Sequence, residues 1–320
     1  MTKARENSDY TGLQGDLAGL QTNITAGDTA ARAGRKNWII NGDMQISQRG
    51  DYTSATSATD GLFYLDRWKA QVTNVTATIQ DTTLSQKLVA TSTASGNLEV
   101  LQKVEDFNIL TNKTITVSAK ITSNSSAARI AVLTASGTWH SSSAHTGGGN
   151  EETLSVTFSS GSATRMDVWI GITGSSRAAV SISSGNYVEI TGVQLELGSV
   201  ATDFEHRSYG EELRLCQRYF YRYKGATQER IYNENAGATG KWWFLTFPEM
   251  RTTPSATFSS GWTGGSIVVI GGTINSMSVG GGSSTAMSFR VTNSGSGGTV
   301  KALYHTDSFS QDYCYLSAEL

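Results

Sequence analysis

Asp66-Arg67-Trp68 sets a carboxylate, a guanidinium and an indole side by side. In a cleft, such a trio grips a sugar, the ring stacking on a pyranose face while the cation meets its hydroxyls. In a sandwich, Trp68 points inward while Asp66 and Arg67 tie down a strand end. Trp139 and His140 stand in TASGTWHSSSAHTGGGN, and Trp262 stands in FSSGWTGGS. An indole in a Gly/Ser loop offers a flat apolar face ringed by hydroxyl donors, so these three residues are the candidate glycan binders. The competing reading buries each ring at a core edge or between subunits. His140 and His145 are spaced as two solvated loop histidines, and no third metal ligand stands near them. Asp43, Asp60 and Asp66 are oxygen donors, but their spacing fits no compact calcium loop, which leaves them capping and turn roles. Glycosidase chemistry needs two carboxylates across a cleft. Asp167, Glu189 and Glu196 are available, yet spacing does not set any two of them opposite each other. There is no GxSxG elbow, HExxH helix, GxxxxGK[ST] loop or paired CxxC. No catalytic residue, metal or cofactor is assigned, and the chain reads as a non-enzyme.

The 320 residues carry a net charge of −2, which gives no global attraction to nucleic acid or anionic membrane. No stretch approaches the roughly 20 apolar residues of a membrane span. The polar start, MTKARENSDYTG, lacks the apolar core of a signal peptide, so synthesis in the cytoplasm is expected. Cys216 and Cys314 are far apart and read as two buried thiols. Thirty-four glycines against two prolines, with abundant Ser and Thr, favour short strands joined by tight turns.

Those turns must be placed by strands. From residue 37 the pattern becomes β: apolar runs at 64–72, 77–79, 86–90, 98–104, 114–121, 129–133, 154–158, 166–172 and 187–195 are separated by turn residues. Residues 114–121, TITVSAKI, alternate polar and apolar as a half-buried strand does. Nine such strands argue for an antiparallel sandwich of jelly-roll type over residues 37–206. Before it, Tyr10, Leu13, Leu17, Leu20 and Ile24 recur at 3 and 4 spacing. They predict a short helix within segment 1–36, either a coiled-coil or docking seam or an amphipathic face against its own domain. After the sandwich, residues 209–220 predict a short connecting helix within a hinge at 207–223, with acids at its start and arginines towards its end. The last 97 residues, 224–320, form a second β domain, predicted as a sandwich with strands at 242–247, 266–270, 274–279 and 286–291. Trp242 and Trp243 are adjacent in the first of these, so they should point to opposite faces. Residues 252–289 contain no charged side chain, which points either to burial between copies of the chain or to a neutral monomeric core.

The stretch NGDM…QRG…DRW, carried by Asn41, Asp43, Arg49, Asp66, Arg67 and Trp68, resembles the opening of a β-sandwich domain of bacteriophage tail fibres. GVQLELGS followed by ATDFE resembles the closing strand and exit of the same domain, which is similar to jelly-roll carbohydrate-binding modules. The familiar exit has proline where Asp203 stands. EELRLCQRYF resembles the hinge that follows such sandwiches, and the chain's last residues resemble the β domain of receptor-binding tips. The resemblance implies that the six residues are a fold signature rather than a site. It also implies a phage virion protein, foremost a tail fibre adhesin: a homotrimer joined to other virion proteins through its N-terminus and binding host surface polysaccharide. The rival readings are a purely structural head fibre, cement or baseplate protein, and an accessory or weak glycan hydrolase.

Overall fold

Alternation in sequence becomes alternation in burial. Along β7 (Thr114–Ser123), Ile115, Val117, Ala119 and Ile121 are fully buried, and along β10 (Glu151–Ser159) every second side chain is exposed. The computed structural model describes residues 36–50, 52–82, 85–105, 107–224, 240–258, 267–269, 274–284, 286–293, 303–305 and 313–320. The chain forms two compact units that divide between Arg207 and Ser208.

The first unit is an antiparallel jelly-roll sandwich. One sheet runs β1 (Thr56–Ser57), β4 (Ala77–Asp81), β5 (Gln86–Ala90), β13 (Tyr187–Leu197), β7, β10. The other runs β2 (Phe63–Leu65), β3 (Trp68–Thr73), β6 (Ala94–Lys103), β11 (Asp167–Ile172), β8 (Ala128–Ala135), β9 (Thr138–Ser141), with β12 (Val180–Ile182) also paired to β6. Ile79, Leu88, Val117, Ile190 and Leu195 from the first sheet pack against Leu98, Val100, Ile130, Val168 and Ile170 from the second. Each such side chain contributes about 1.5–3 kcal/mol on leaving water. The run predicted as one strand over 64–72 is two, because the chain turns sharply at Asp66-Arg67. Arg67 takes φ +71°, and the Asp66 amide donates to Ile46 O at 3.1 Å. β1, β9 and β12 were not foreseen; each is four residues or fewer, too short for a period to register.

The signature residues bracket this turn. Asn41 (φ +57°) accepts the Ile46 amide on Oδ1 at 2.9 Å and donates from Nδ2 to Ile46 O and Asp66 O. Its own carbonyl accepts the Trp68 indole N–H at 2.8 Å, and Trp68 is fully buried. Arg67 is buried with Nη2 on Lys103 O at 2.6 Å, while Asp66 meets Gln48 and, at 3.6 Å, Arg49, whose guanidinium lies over Phe63.

The opening and closing ends of the sandwich clasp each other. Asn37 bridges Val193 O and the Leu195 amide, Glu205 accepts the amides of Lys36 and Asn37, and Arg207 donates to Ile39 O and Asn37 O. Residues 202–205 are held across β13 by two of its outward side chains. Glu196 accepts from the Thr202 amide and hydroxyl, and Gln194 Oε1 accepts the Glu205 amide at 2.9 Å. The QLE sequence is therefore the seat of the exit segment.

In the second unit, Ser208 caps α1 (Tyr209–Gln217) by accepting the Glu211 amide. Cys216 is fully buried. β14 (Phe220–Lys224) and β16 (Ser255–Phe258) both pair with β21 (Tyr313–Ser317), so the chain's last strand is central in its sheet. β15 (Gly240–Thr246), β19 (Ala286–Asn293) and β18 (Ile274–Gly282) form a second sheet, and β17 (Ile267–Val269) pairs with β20 (Leu303–His305). The predicted seam of Tyr10, Leu13, Leu17, Leu20 and Ile24 lies outside the described residues, as do Trp262 and the side chains of Trp242, Trp243 and Cys314.

Candidate functional site

Period-2 strands that bury one face must present the other, and on the first sheet that outer face is polar. Register sets Lys87, Glu189, Thr122 and Glu151 in one row across β5, β13, β7 and β10, with Thr191, Lys120 and Thr153 in the next. A bulge after Thr191, with Gly192 at φ +58°, bends β13 at this level. Beside the bulge stand the NGDM turn, carrying Asp43 and Gln45, and the exit segment, carrying Phe204 and His206.

These elements enclose a cleft of about 490 Å³, lined also by Thr82 and Ser85. Phe204 and His206 meet edge to face at 4.9 Å and make its aromatic wall. The charged side chains of the floor pair with one another. Lys120 Nζ lies 3.1 Å from Glu151, Lys87 Nζ lies 3.9 Å from Glu189, and the Ser85 hydroxyl donates to Glu189 at 2.5 Å. Asp43 is the buried member, 7% exposed. Gln45 Nε2 donates to its Oδ2 at 2.6 Å, and Oδ1 receives no well-formed protein hydrogen bond.

Burial pushes the Asp43 carboxyl above the ordinary aspartate range, against the opposing pull of its own amide, His206, Arg207 and the Gln45 amide. The folded chain thus takes up this proton at a higher pH than the unfolded chain does. Ionised Asp43 costs stability, and that cost is present at neutral pH and fades as pH falls through the raised value towards the ordinary one. Asp43→Asn is accordingly expected to raise the thermal midpoint at pH 7, with the gain shrinking by pH 4. A midpoint difference that does not change with pH would contradict this.

Trp139 and His140 lie in strand β9, not in the loop expected of their Ser/Gly surroundings, and they face opposite ways. Trp139 pairs across from Leu133 and rests against Trp169 at 6.5 Å on the outer face of the second sheet. There Leu101, Ala131 and Trp169 form a small apolar cluster, and Arg177 lies 3.7 Å over the Trp169 ring while bonding Glu99. His140 turns inward and stacks on Phe158 at 4.2 Å, and burial pushes its pKa down. His145 is not the solvated loop residue expected. It is 1% exposed, its Nε2 donates to Asn150 O, and its Nδ1 accepts the Gly147 amide. Of the carboxylates singled out in sequence, Glu189 lines the cleft, Glu196 seats the exit segment, and Asp167 pairs with Arg165 on the other sheet. Among the described residues no group of three or more His, Cys, Asp or Glu is placed to hold a metal ion.

Phe204, His206, Lys120 and Thr122 were not singled out in sequence. Lys120 and Thr122 sit at outward positions of the most regular strand, a signal that says "exposed" and nothing more.

No family model matches the sequence, and no curated protein matches it. Among solved structures, a CBM4 carbohydrate-binding module overlaps 49% of this chain and 98% of its own, at 12% identity and a TM-score of 0.30. The CBM22-1 xylan-binding domain of Paenibacillus barcinonensis Xyn10C overlaps 48% of this chain and 99% of its own, at 13% identity and a TM-score of 0.29. The CBM6-3 module of Clostridium stercorarium, solved with cellobiose, overlaps 48% and 99% respectively, at 14% identity and a TM-score of 0.23. At these scores the overlaps carry nothing about a ligand; the cleft has to be read from its own residues.

Proposed function

We propose that this protein is a non-catalytic adhesin of a bacteriophage virion, foremost a tail fibre, whose first β-sandwich holds host surface glycans in the cleft beneath Phe204 and His206. The observation that carries the reading is the pairing of that aromatic wall with a floor of Thr, Ser, Glu and Lys side chains. A sugar has apolar C–H faces and a rim of hydroxyls, and such a cleft meets both. The virion setting is supported by the resemblance of the opening, closing and hinge sequences to tail-fibre proteins. On this reading residues 1–36 attach the chain to other virion proteins and align three copies, residues 224–320 form the distal tip, and several weak sites act together through effective concentration.

Labelled full-length protein should bind intact host cells. Phe204→Ala should weaken that binding about tenfold or more, as truncating an aromatic anchor does, with an unchanged melting curve because Phe204 is only half-buried. Unchanged cell binding by Phe204→Ala removes the cleft from the reading. Failure of the parent protein to bind infectable cells removes adhesion and leaves the structural virion role. Release of reducing ends from host polysaccharide would instead establish an enzyme.

A further inference from the structure

The exit segment that carries the aromatic wall is held unlike the rest of the sandwich. The chain leaves β13 at Gly198, whose φ of +119° favours glycine. Beyond it, none of residues 200–206 forms a backbone–backbone hydrogen bond among the described residues. The ties run through side chains instead. Glu196 and Gln194 accept the Thr202 and Glu205 amides respectively, and Lys36 Nζ donates to Asp203 O at 3.0 Å. Glu205 in turn accepts the Lys36 and Asn37 amides. No residue of 200–206 is buried, and Val200 is 68% exposed. The surface beneath is polar. Gln194 and Glu196, the outward residues of β13 that the segment crosses, are almost fully buried. Lifting the segment returns an amide and a carboxylate to water and leaves the β13–β7 ladder intact. Phe204, half-buried, is the one aromatic ring that such a movement withdraws from β13. A shallow segment held in this way is the kind that opens locally while a core stays folded.

We propose that residues 200–207 are a strap that opens and closes the cleft. Seated, the strap sets Phe204 and His206 against the floor; lifted from β13, it leaves a folded sandwich without the aromatic half of its site. The ligand binds only the seated form, so binding locks the strap. This rests on the glycan-binding reading above and adds to it how that site is regulated. Glu205 is the positioning residue. It does not line the cleft, yet its carboxylate ties the far end of the strap to residues 36 and 37. Arg207 is followed directly by Ser208, the cap of α1, so the segment that a ligand locks is the one that leads into the second unit.

The test is hydrogen exchange of the full-length protein, read at the Thr202 and Glu205 amides against the amides of the β13–β7 ladder. The two strap amides should exchange about a hundredfold or more faster than the ladder, since they need only local opening. Glu205→Ala should speed exchange at Thr202 about tenfold, although Glu196, the partner of that amide, is untouched, because the strap lifts as one unit. Purified host surface polysaccharide should slow both strap amides about tenfold or more. Glu205→Ala should also weaken binding to intact host cells several-fold with Phe204 and His206 in place, because a smaller fraction of the protein is competent to bind. Unchanged ladder exchange shows that the sandwich is folded. If Glu205→Ala disturbs the ladder, Glu196→Ala frees the other end of the strap and is read in the same way at the Glu205 amide. Strap amides as slow as the ladder, no acceleration at Thr202 in Glu205→Ala, no protection by the polysaccharide, or full cell binding by a variant whose strap has loosened each overturns the proposal. If Phe204→Ala still weakens cell binding in any of these cases, the glycan-binding reading stands and only the strap falls. If the strap opens as expected but the parent binds no infectable cells, it is the glycan-binding reading that has failed, and the regulation of the site falls with it.

Discussion

Trp68→Ala is expected to destabilise the first unit by about 3–5 kcal/mol, a large share of the roughly 5–15 kcal/mol that holds a typical domain folded. Trp68 is fully buried in the core between the sheets. Truncation forfeits its transfer energy and leaves a cavity that two hydrogen-bonded sheets cannot collapse to fill. It also removes the shorter of two hydrogen bonds to Asn41 O, leaving the Met44 amide at 3.2 Å, on a residue held at φ +57° by bonds to Ile46 and Asp66. Losing that one hydrogen bond adds about 0.5–1.5 kcal/mol. Trp68→Phe separates the two effects: it keeps most of the apolar volume and removes the N–H, so its loss should be confined to that smaller figure. Urea unfolding followed by far-ultraviolet circular dichroism measures both. If Trp68→Ala lies within 1 kcal/mol of the parent, the indole is not a structural anchor and its place in a ligand platform has to be reconsidered.

The same residues show how far spacing can be read. Period two made β7 legible, and nine apolar runs made the sandwich legible, because alternation is a local property of the chain. The bracket around Trp68 is not local. Asn41 bonds residues 5 and 25 positions away, and nothing in the spacing of NGDM and DRW says that one carbonyl meets one indole. Trp139 and His140 do not share a face, for a physical reason. Neighbours on a strand point to opposite faces, and the Ser/Gly composition around them disguised the pairing of β9 with β8. The cleft was hardest to see. Phe204 and His206 come from a segment without regular structure, and they reach Lys120 and Thr122 only because Gln194 and Glu196 seat that segment across β13. A hydrogen-bonded crossing of that kind leaves no periodicity to find.

Gly42→Ala should cost about 3–5 kcal/mol in stability, combining overpacking with lost hydrogen bonds, and should impair the cleft even where the chain still folds. The glycine is not there for a left-handed backbone. It is there because a β-carbon at this position would lie 2.2 Å from Val193 O, with Phe204 Cε2 at 3.2 Å and Asn37 Nδ2 at 3.3 Å. Neither backbone nor amide can give way cheaply, so the turn has to retreat from β13 by roughly an ångström to reach ordinary contact. The retreat breaks the Val193 amide's bond to Gly42 O and strains the two bonds Asn37 makes to β13. It also moves Asp43, the next residue, and presses on Phe204, both of which line the cleft, so cell binding should fall further than the folded fraction does. Gly148→Ala is the control, since its added carbon would meet nothing closer than 3.6 Å, and it should melt within about 0.5 kcal/mol of the parent. A Gly42→Ala protein that melts with the parent would mean that the opening turn is not seated on the bulge. The fold signature and the cleft wall would then be independent features, whereas this geometry makes them one.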